Sequence, residues 1–332
     1  MEPVKPNSSD CCGSGCVPCI FDVYEAELRK WKEGSTASVS HKQRCDLLST
    51  LRYQPFRIFE ISALAQDIFL FRFQASAASH CSDEQTAFEI SGQLSYRPSQ
   101  HLIMRCPRLK TSGFRSSDMA TSTETSLGGT EVESEFISRA YTPISLADEE
   151  NNCCFDTVIK LYENGLMSSV LRTLQRGDLV YFRGPYGGFE HTPGLYSSLT
   201  MVCAGTGLAP MISIIKSILR NEDDETLVLL LFSVSNFQSI ILREEISNFC
   251  RNWNMKAKIF LSCERNWSEV SQHLRHGEAI LCQRINQEII ESEVCNRQNN
   301  QVLLCGPEGF CQDVQTWLRN TKFDVERRLF IF

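Results

Sequence analysis

The sequence predicts two folded units in series, an antiparallel β-barrel followed by a doubly wound parallel α/β domain. Between residues 52 and 196, apolar and polar positions alternate with period 2 in short runs: FRIFEISAL from Phe56, DIFLFRF from Asp67, FISRAY from Phe136, FDTVIKLY from Phe155 and DLVYFRG from Asp178. Gly, Pro and Asn break the runs, and short strands so spaced form antiparallel barrels. From residue 197 the rhythm changes to continuous apolar runs that alternate with helical patterns, as in a parallel sheet covered on both faces. A chain of 332 residues has length for two separate cores.

Taken in order, residues 1–51 are polar, with a cysteine cluster and one short helical pattern, YEAELRKW from Tyr24. The barrel zone, 52–196, is interrupted at about 105–135 by a segment rich in Ser, Thr and Gly, which reads as an inserted loop too polar to bury. In RAYTPIS, a strand ending at Pro143 sends Arg139 and Tyr141 to one side and Thr142 to the other. Further on, Asn164-Gly165 turns the chain into a helix with Val170, Leu171 and Leu174 on one face. The third zone, 197–332, opens with LTMVCAG and a helix begun by Pro210, with Met211, Ile214, Ile215, Ile218 and Leu219 at helical spacing. TLVLLLFSV, AKIFLSC and NQVLLCG read as further strands, and ILREEISNFC and FCQDVQTWLR as helices.

Composition narrows the functional classes. A net charge of -7 argues against general nucleic-acid binding, which needs a basic surface. The longest apolar runs, such as LVLLLF from Leu227, fall far short of the roughly 20 residues of a membrane helix. MEPVKPNSSD has neither the apolar core of a secretory signal nor the composition of a transit peptide. Most of the 16 cysteines stand singly in apolar runs, where a reduced thiol packs as a small hydrophobe. The compartment expected is therefore reducing and intracellular, a cytoplasmic setting compatible with peripheral membrane association. Neither folded zone carries a metal-ligand set.

Four motifs bear on chemistry. Arg139 beside Tyr141 is a cation next to an aromatic face, suited to a ligand with a phosphate and a flat ring; the same residues suit an edge strand with a solvated Arg. The helix start at Gly165, Met167 and Ser168 offers hydroxyl and free N–H groups to an anion, or is a plain cap. In CAGTGLAP, Gly205 and Gly207 after a buried strand permit close approach of backbone to ligand, and the helix behind them points its positive end the same way. In LLCGPEGF, Cys305 stands at the carboxyl edge that also carries GTGLAP, as a ligand contact or a packed thiol.

In order and spacing these motifs resemble the flavin reductases of the ferredoxin reductase type, and most closely the NADH-cytochrome b5 reductase family. The matching residues are Arg139, Tyr141, Thr142 and Ser145; Gly165, Met167 and Ser168; Gly205, Thr206, Gly207 and Pro210; Cys305, Gly306 and Pro307; and the aromatic C-terminus Phe332. The strings VIKLY, which ends in Tyr162, and RGPYGGF are similar to the family's as well. The resemblance implies that Arg139 binds a flavin pyrophosphate, that Tyr141 lies against the isoalloxazine, and that Thr142 and Ser145 hydrogen-bond near it. It implies backbone contacts from Val158, Ile159 and Lys160, and phosphate contacts from Gly165, Met167 and Ser168. The Gly205–Pro210 and Cys305–Pro307 segments would hold the pyridine nucleotide against the flavin.

The implied cofactors are FAD and NADH, the implied acceptor a haem protein such as cytochrome b5. NADH is favoured because SVSNFQS, after the second parallel strand, offers no Arg for a 2'-phosphate. The rival readings are a reductase component feeding an iron–sulfur or oxygenase partner, and a non-catalytic flavoprotein. Three positions depart from the family's pattern: Ala209 where Thr is frequent, Leu166 where Lys is frequent, and Ser99-Gln100-His101 where Gly-Gln-His is usual. An acidic partner would need a local basic patch, for which Arg105, Arg108, Lys110 and Arg115 are candidates, or a solvated loop. Separately, CCGSGCVPCIFDVYEAELRKW resembles a small oxidoreductase-like segment. Its Cys11, Cys12, Cys16 and Cys19 suit a thiolate metal or iron–sulfur site, or a redox or structural thiol cluster.

Overall fold

A computed structural model of the chain describes residues 46–76, 92–107, 136–147 and 153–332 except 276, together with six positions between 21 and 29. The four N-terminal cysteines lie outside the described residues, as do Arg108, Lys110 and Arg115.

The first sheet contains β1 (Gln54–Ala65), β2 (Ile68–Ala75), β3 (His101–Pro107), β4 (Phe136–Tyr141), β5 (Cys154–Lys160) and β6 (Leu179–Tyr186), with a short helix α1 (Leu166–Leu171) between the last two. Its strand order is β4-β3-β6-β1-β2-β5, with every pairing antiparallel. An antiparallel bridge from Pro143 to Thr157 joins the two outer strands, and the Ile144 N–H donates to Asp156 O at 2.8 Å beside it. The sheet is thereby closed into a barrel. Inside it, Phe56, Phe73, Phe155 and Phe182 meet with ring centroids 4.8 to 5.4 Å apart, mostly edge to face, as the ring quadrupoles favour.

β3 departs from the sequence reading. Its run HLIMRCP has no alternation, because Leu102, Ile103 and Met104 are all buried. At the start of the segment expected as an insertion at about 105–135, Arg105, Cys106 and Pro107 complete β3, with Arg105 opposite Ser138 and Pro107 opposite Phe136. Arg105 lies over the rings of Phe136 and Tyr53, 3.9 and 5.0 Å from their centroids. It is a stacked side chain, not a solvated one.

His101 opens β3 and is largely buried, and desolvation pushes its pKa down from 6.5 to about 4. A folded imidazole that resists protonation makes the unfolded chain the better proton acceptor between those values, so stability falls as pH drops from about 6.5 towards 4. The loss attributable to His101 is about 3 kcal/mol. Urea unfolding at pH 7 and pH 4 should show a loss of stability that is smaller by about that amount in His101→Asn than in the wild type.

The second sheet is parallel, in the order β10-β9-β8-β7-β11-β12. In chain order it runs β7 (Ser198–Ala204), a 3-10 turn (Gly205–Leu208), α2 (Ala209–Arg220), β8 (Leu227–Val234), α3 (Arg243–Phe249), β9 (Met255–Leu261), α4 (Trp267–Gln272), β10 (Ala279–Leu281), α5 (Gln287–Ile290), β11 (Asn300–Cys305), α6 (Glu308–Arg319), α7 (Val325–Arg328) and β12 (Leu329–Ile331). Strand order reverses between β7 and β11, the topological switch point at which such sheets bind ligands. The register of that pair is pinned inside the core, where the Ser198 and Thr200 hydroxyls both donate to Asn300 Oδ1 at 3.0 Å.

The barrel and the parallel sheet share one apolar core. Ile68, Ile144 and Val158 from the barrel pack in the same cluster as Leu208, which ends the 3-10 turn, and Ala209 and Met211 at the start of α2. Among the described residues no helix is long and apolar enough to cross a membrane, and every described cysteine is a free thiol.

Candidate functional site

The site is built where the two sheets meet. β4 ends at Tyr141, and the next four residues cross to β5. Thr157 Oγ1 donates to Thr142 O at 3.0 Å. The Asp156 N–H donates to Ser145 Oγ at 3.0 Å, and Tyr96 reaches both Ser145 O, at 3.2 Å, and Ser145 Oγ, at 3.1 Å. The Ser145 hydroxyl is thus committed to holding its own segment. Tyr96 and Thr157 were not singled out in the sequence; Tyr96 lies outside any regular strand, and Thr157 looks like one more position of an alternating run.

Arg139 is half-buried, and its Nη1 donates to Ser138 O at 2.7 Å, which holds one edge of the guanidinium to the strand. Burial raises the pKa of Tyr141, so its phenol stays protonated and able to donate. Along β5, Val158 and Ile159 are buried and Lys160 is exposed. The Lys160 ammonium stands 5.3 Å from the ring centre of Tyr162, which is 59% exposed.

α1 packs against β4 and so brings the second motif beside the first. Ser168 Oγ accepts the Tyr162 N–H at 2.9 Å, and the Gly165 N–H donates to Tyr162 O at 3.2 Å. A Cβ on Gly165 would lie 2.8 Å from Ser168 Oγ, which is why this turn takes glycine. Ser168 retains a proton to donate, and the first-turn N–H groups of α1 have no partner within the helix. Met167 is buried beneath them.

The third and fourth motifs touch. Gly205 adopts φ 56°, and a Cβ there would meet open space. At Gly207 a Cβ would lie 2.4 Å from Cys305 O and 2.7 Å from Cys305 C, so the GTG turn rests directly on the CGP turn. Gly306 is enclosed by Phe310 and Ala204. Thr206 is half-buried, Pro210 lies buried in the first turn of α2, and Pro307 stands just before α6. Burial, with Cys311 nearby, pushes the Cys305 thiol up to about 12, so it is a neutral packing group. The Phe332 N–H donates to Leu304 O at 3.0 Å, and its ring packs on Phe330, which meets Phe189 of the barrel side at 5.5 Å.

Ala209 is 6% exposed inside the shared core, so the hydroxyl missing relative to the family is replaced by close packing. Leu166 is exposed and brings no cation to α1. The junction therefore combines a half-buried guanidinium and the first-turn N–H groups of α1 on the barrel side with an open glycine backbone at the switch point. Both features favour anionic, phosphate-bearing ligands.

Comparison with known proteins agrees with this arrangement. The family described as "Oxidoreductase FAD-binding domain" matches residues 125–191, "Oxidoreductase NAD-binding domain" residues 201–316, and "Oxidoreductase-like protein, N-terminal" residues 1–39. NADH-cytochrome b5 reductase-like of Homo sapiens is 33% identical over 328 residues, 95% of this chain and 89% of its own. The Mus musculus protein of the same name is 33% identical over 325 residues, 95% of this chain and 90% of its own. Among solved structures, the cytochrome b5 reductase domain of Ulva prolifera nitrate reductase superposes with a TM-score of 0.65 at 21% identity, covering 87% of this chain and 100% of that one, which shows the fold. With a barrel and a parallel sheet that share one core, FAD- and NAD-binding domains in that order, and such identity along nearly the whole chain, this oxidoreductase belongs to the NADH-cytochrome b5 reductase-like family.

Proposed function

We propose that the enzyme takes a hydride from NADH and passes single electrons to a haem protein such as cytochrome b5. The observation that carries this reading is the packing of Leu208 and Ala209, behind the GTG turn, into one core with Ile144 and Val158 of the barrel. Nucleotide-binding and flavin-binding segments so joined can hold a donor and an acceptor in contact.

In this reading FAD supplies the redox chemistry when bound, accepting a hydride and releasing electrons singly. Arg139 and the first-turn N–H groups after Gly165 bind its pyrophosphate, with Met167 shaping the turn and Ser168 donating. Tyr141 and Thr142 would line the flavin ring, Ser145 holds their segment in place, and the backbone of Val158, Ile159 and Lys160, with Tyr162, would contact the flavin. On the other wall, Gly205, Thr206, Gly207 and Pro210, with Cys305, Gly306, Pro307 and Phe332, hold the nicotinamide nucleotide and exclude water. Cys305 acts by packing, since its thiol stays neutral. We place the boundary between the flavin unit and the nucleotide unit near residues 196–197, between β6 and β7. The free thiols support a reducing, cytoplasmic setting.

Steady-state reduction of cytochrome b5 tests the reading, with NADH and NADPH compared at equal concentration and a ferredoxin as a second acceptor. Rapid haem reduction with NADH is expected. Transfer to the ferredoxin alone would make the protein a reductase for an iron–sulfur partner.

A further inference from the structure

We propose that Ser99 is a positioning residue for hydride transfer, stapling the barrel to the first turn of α2. This rests on the reductase reading above. Ser99 is 2% exposed and adopts φ 66°, a conformation that glycine takes readily and serine does not. Its bonds span three segments distant in sequence. The Phe189 N–H donates to Ser99 Oγ at 2.8 Å, and Ser99 Oγ donates to Phe189 O at 3.3 Å. The Ser99 N–H donates to Ser213 Oγ at 2.8 Å, and the Ser213 hydroxyl donates to Pro210 O at 3.1 Å.

A continuous chain of hydrogen bonds therefore runs from the turn after β6, through the turn before β3, into the helix that begins at Ala209. The barrel end of the chain is stiff, because a Cβ on Gly188 would lie 2.9 Å from Gln100 Cγ and 3.0 Å from Gln100 N. The helix end is equally enclosed, with Ser213 wholly buried. The apolar core shared by the two halves is non-directional and resists sliding poorly. Hydrogen bonds depend on angle and distance, so the staple supplies the directional restraint. Its far end is Pro210, in the GTGLAP motif. The Ser99 backbone N–H makes the link to the helix, and its hydroxyl ties the same turn to Phe189 within the barrel.

The test compares Ser213→Ala, Ser213→Thr and Ser99→Gly in flavin-loaded full-length protein. In Ser213→Ala the limiting rate of flavin reduction at saturating NADH should fall about tenfold or more, since a misplacement of about 1 Å can cost ~100-fold in rate. The apparent Kd for NADH should stay within about twofold. Ser213→Thr, which retains the hydroxyl, should restore the rate. Ser99→Gly keeps the N–H link to Ser213 and loses only the hydroxyl links within the barrel, so its limiting rate should stay within about twofold of wild type without loss of Tm. A general structural defect would instead lower affinity, rate and Tm together and would not be rescued by threonine. Hydrogen exchange without NADH gives an independent readout: the Ser99 amide should exchange about tenfold faster in Ser213→Ala. Wild-type limiting rates in Ser213→Ala, or in Ser213→Cys should the former not fold, would overturn the proposal. If NADH fails to reduce the wild-type flavin, the reductase reading is what falls; unchanged exchange at Ser99 then overturns the staple as well.

Discussion

Gly207→Ala is expected to reduce NADH-driven flavin reduction by at least about 100-fold while leaving bound flavin in place. An alanine Cβ there would sit 2.4 Å from Cys305 O, 2.7 Å from Cys305 C and 3.0 Å from Gly306 N. All three are backbone atoms, so no side-chain rotation relieves the clash. Neither can the strands slide apart cheaply, because β7 and β11 are paired in register up to Cys203 and Cys305 and locked by Asn300 at their other end. The GTG and CGP turns must therefore separate. Overpacking of this kind costs about 1 to 3 kcal/mol, which a two-unit protein can survive, whereas hydride alignment degrades steeply with small displacements. Flavin absorbance of the purified variant and its reduction in a stopped-flow instrument separate the two effects. Reduction within twofold of wild type would show that the two turns do not form the nucleotide wall.

Arg139→Ala should weaken flavin affinity by one to two decades, because a hydrogen bond between a guanidinium and a pyrophosphate contributes about 1.5 to 3 kcal/mol. The side chain is half-buried at the barrel end beside α1 and held by Ser138 O, so its bonding geometry is set before a ligand arrives. Lysine should rescue poorly, since an ammonium cannot make the paired contacts of a planar guanidinium. Flavin retention after dialysis, measured by absorbance, checks the prediction. Full occupancy in Arg139→Ala would move the pyrophosphate elsewhere.

Much of this arrangement was legible in the sequence, for physical reasons that differ by element. β7, β8 and β11 are buried nearly throughout and carry apolar runs, β9 carries a shorter one in its last three residues, and Pro210 announces α2. The barrel strands β1, β2, β5 and β6 reveal themselves through alternation. β3 escaped because its outward residue Ile103 is covered as well. β10 and β12 span three residues each, too few for any period to register. Of the site, the four motifs could be read; the bonds that hold them could not. Ser145 serves Asp156 and Tyr96, and Ser99 serves Phe189 and Ser213, across separations of 11 to 114 residues that no local pattern encodes. The departures at Ala209 and Ser99, which as sequence look like losses, become in the structure a packed core position and a hydrogen-bonded link.

The most direct test of the electron path is an anaerobic titration of the flavin-loaded protein with NADH, followed by addition of ferric cytochrome b5. About one equivalent of NADH is expected to bleach the flavin band, and the haem spectrum then to change to the ferrous form as the flavin colour returns. A yellow protein whose spectrum NADH leaves unchanged would contradict this electron path.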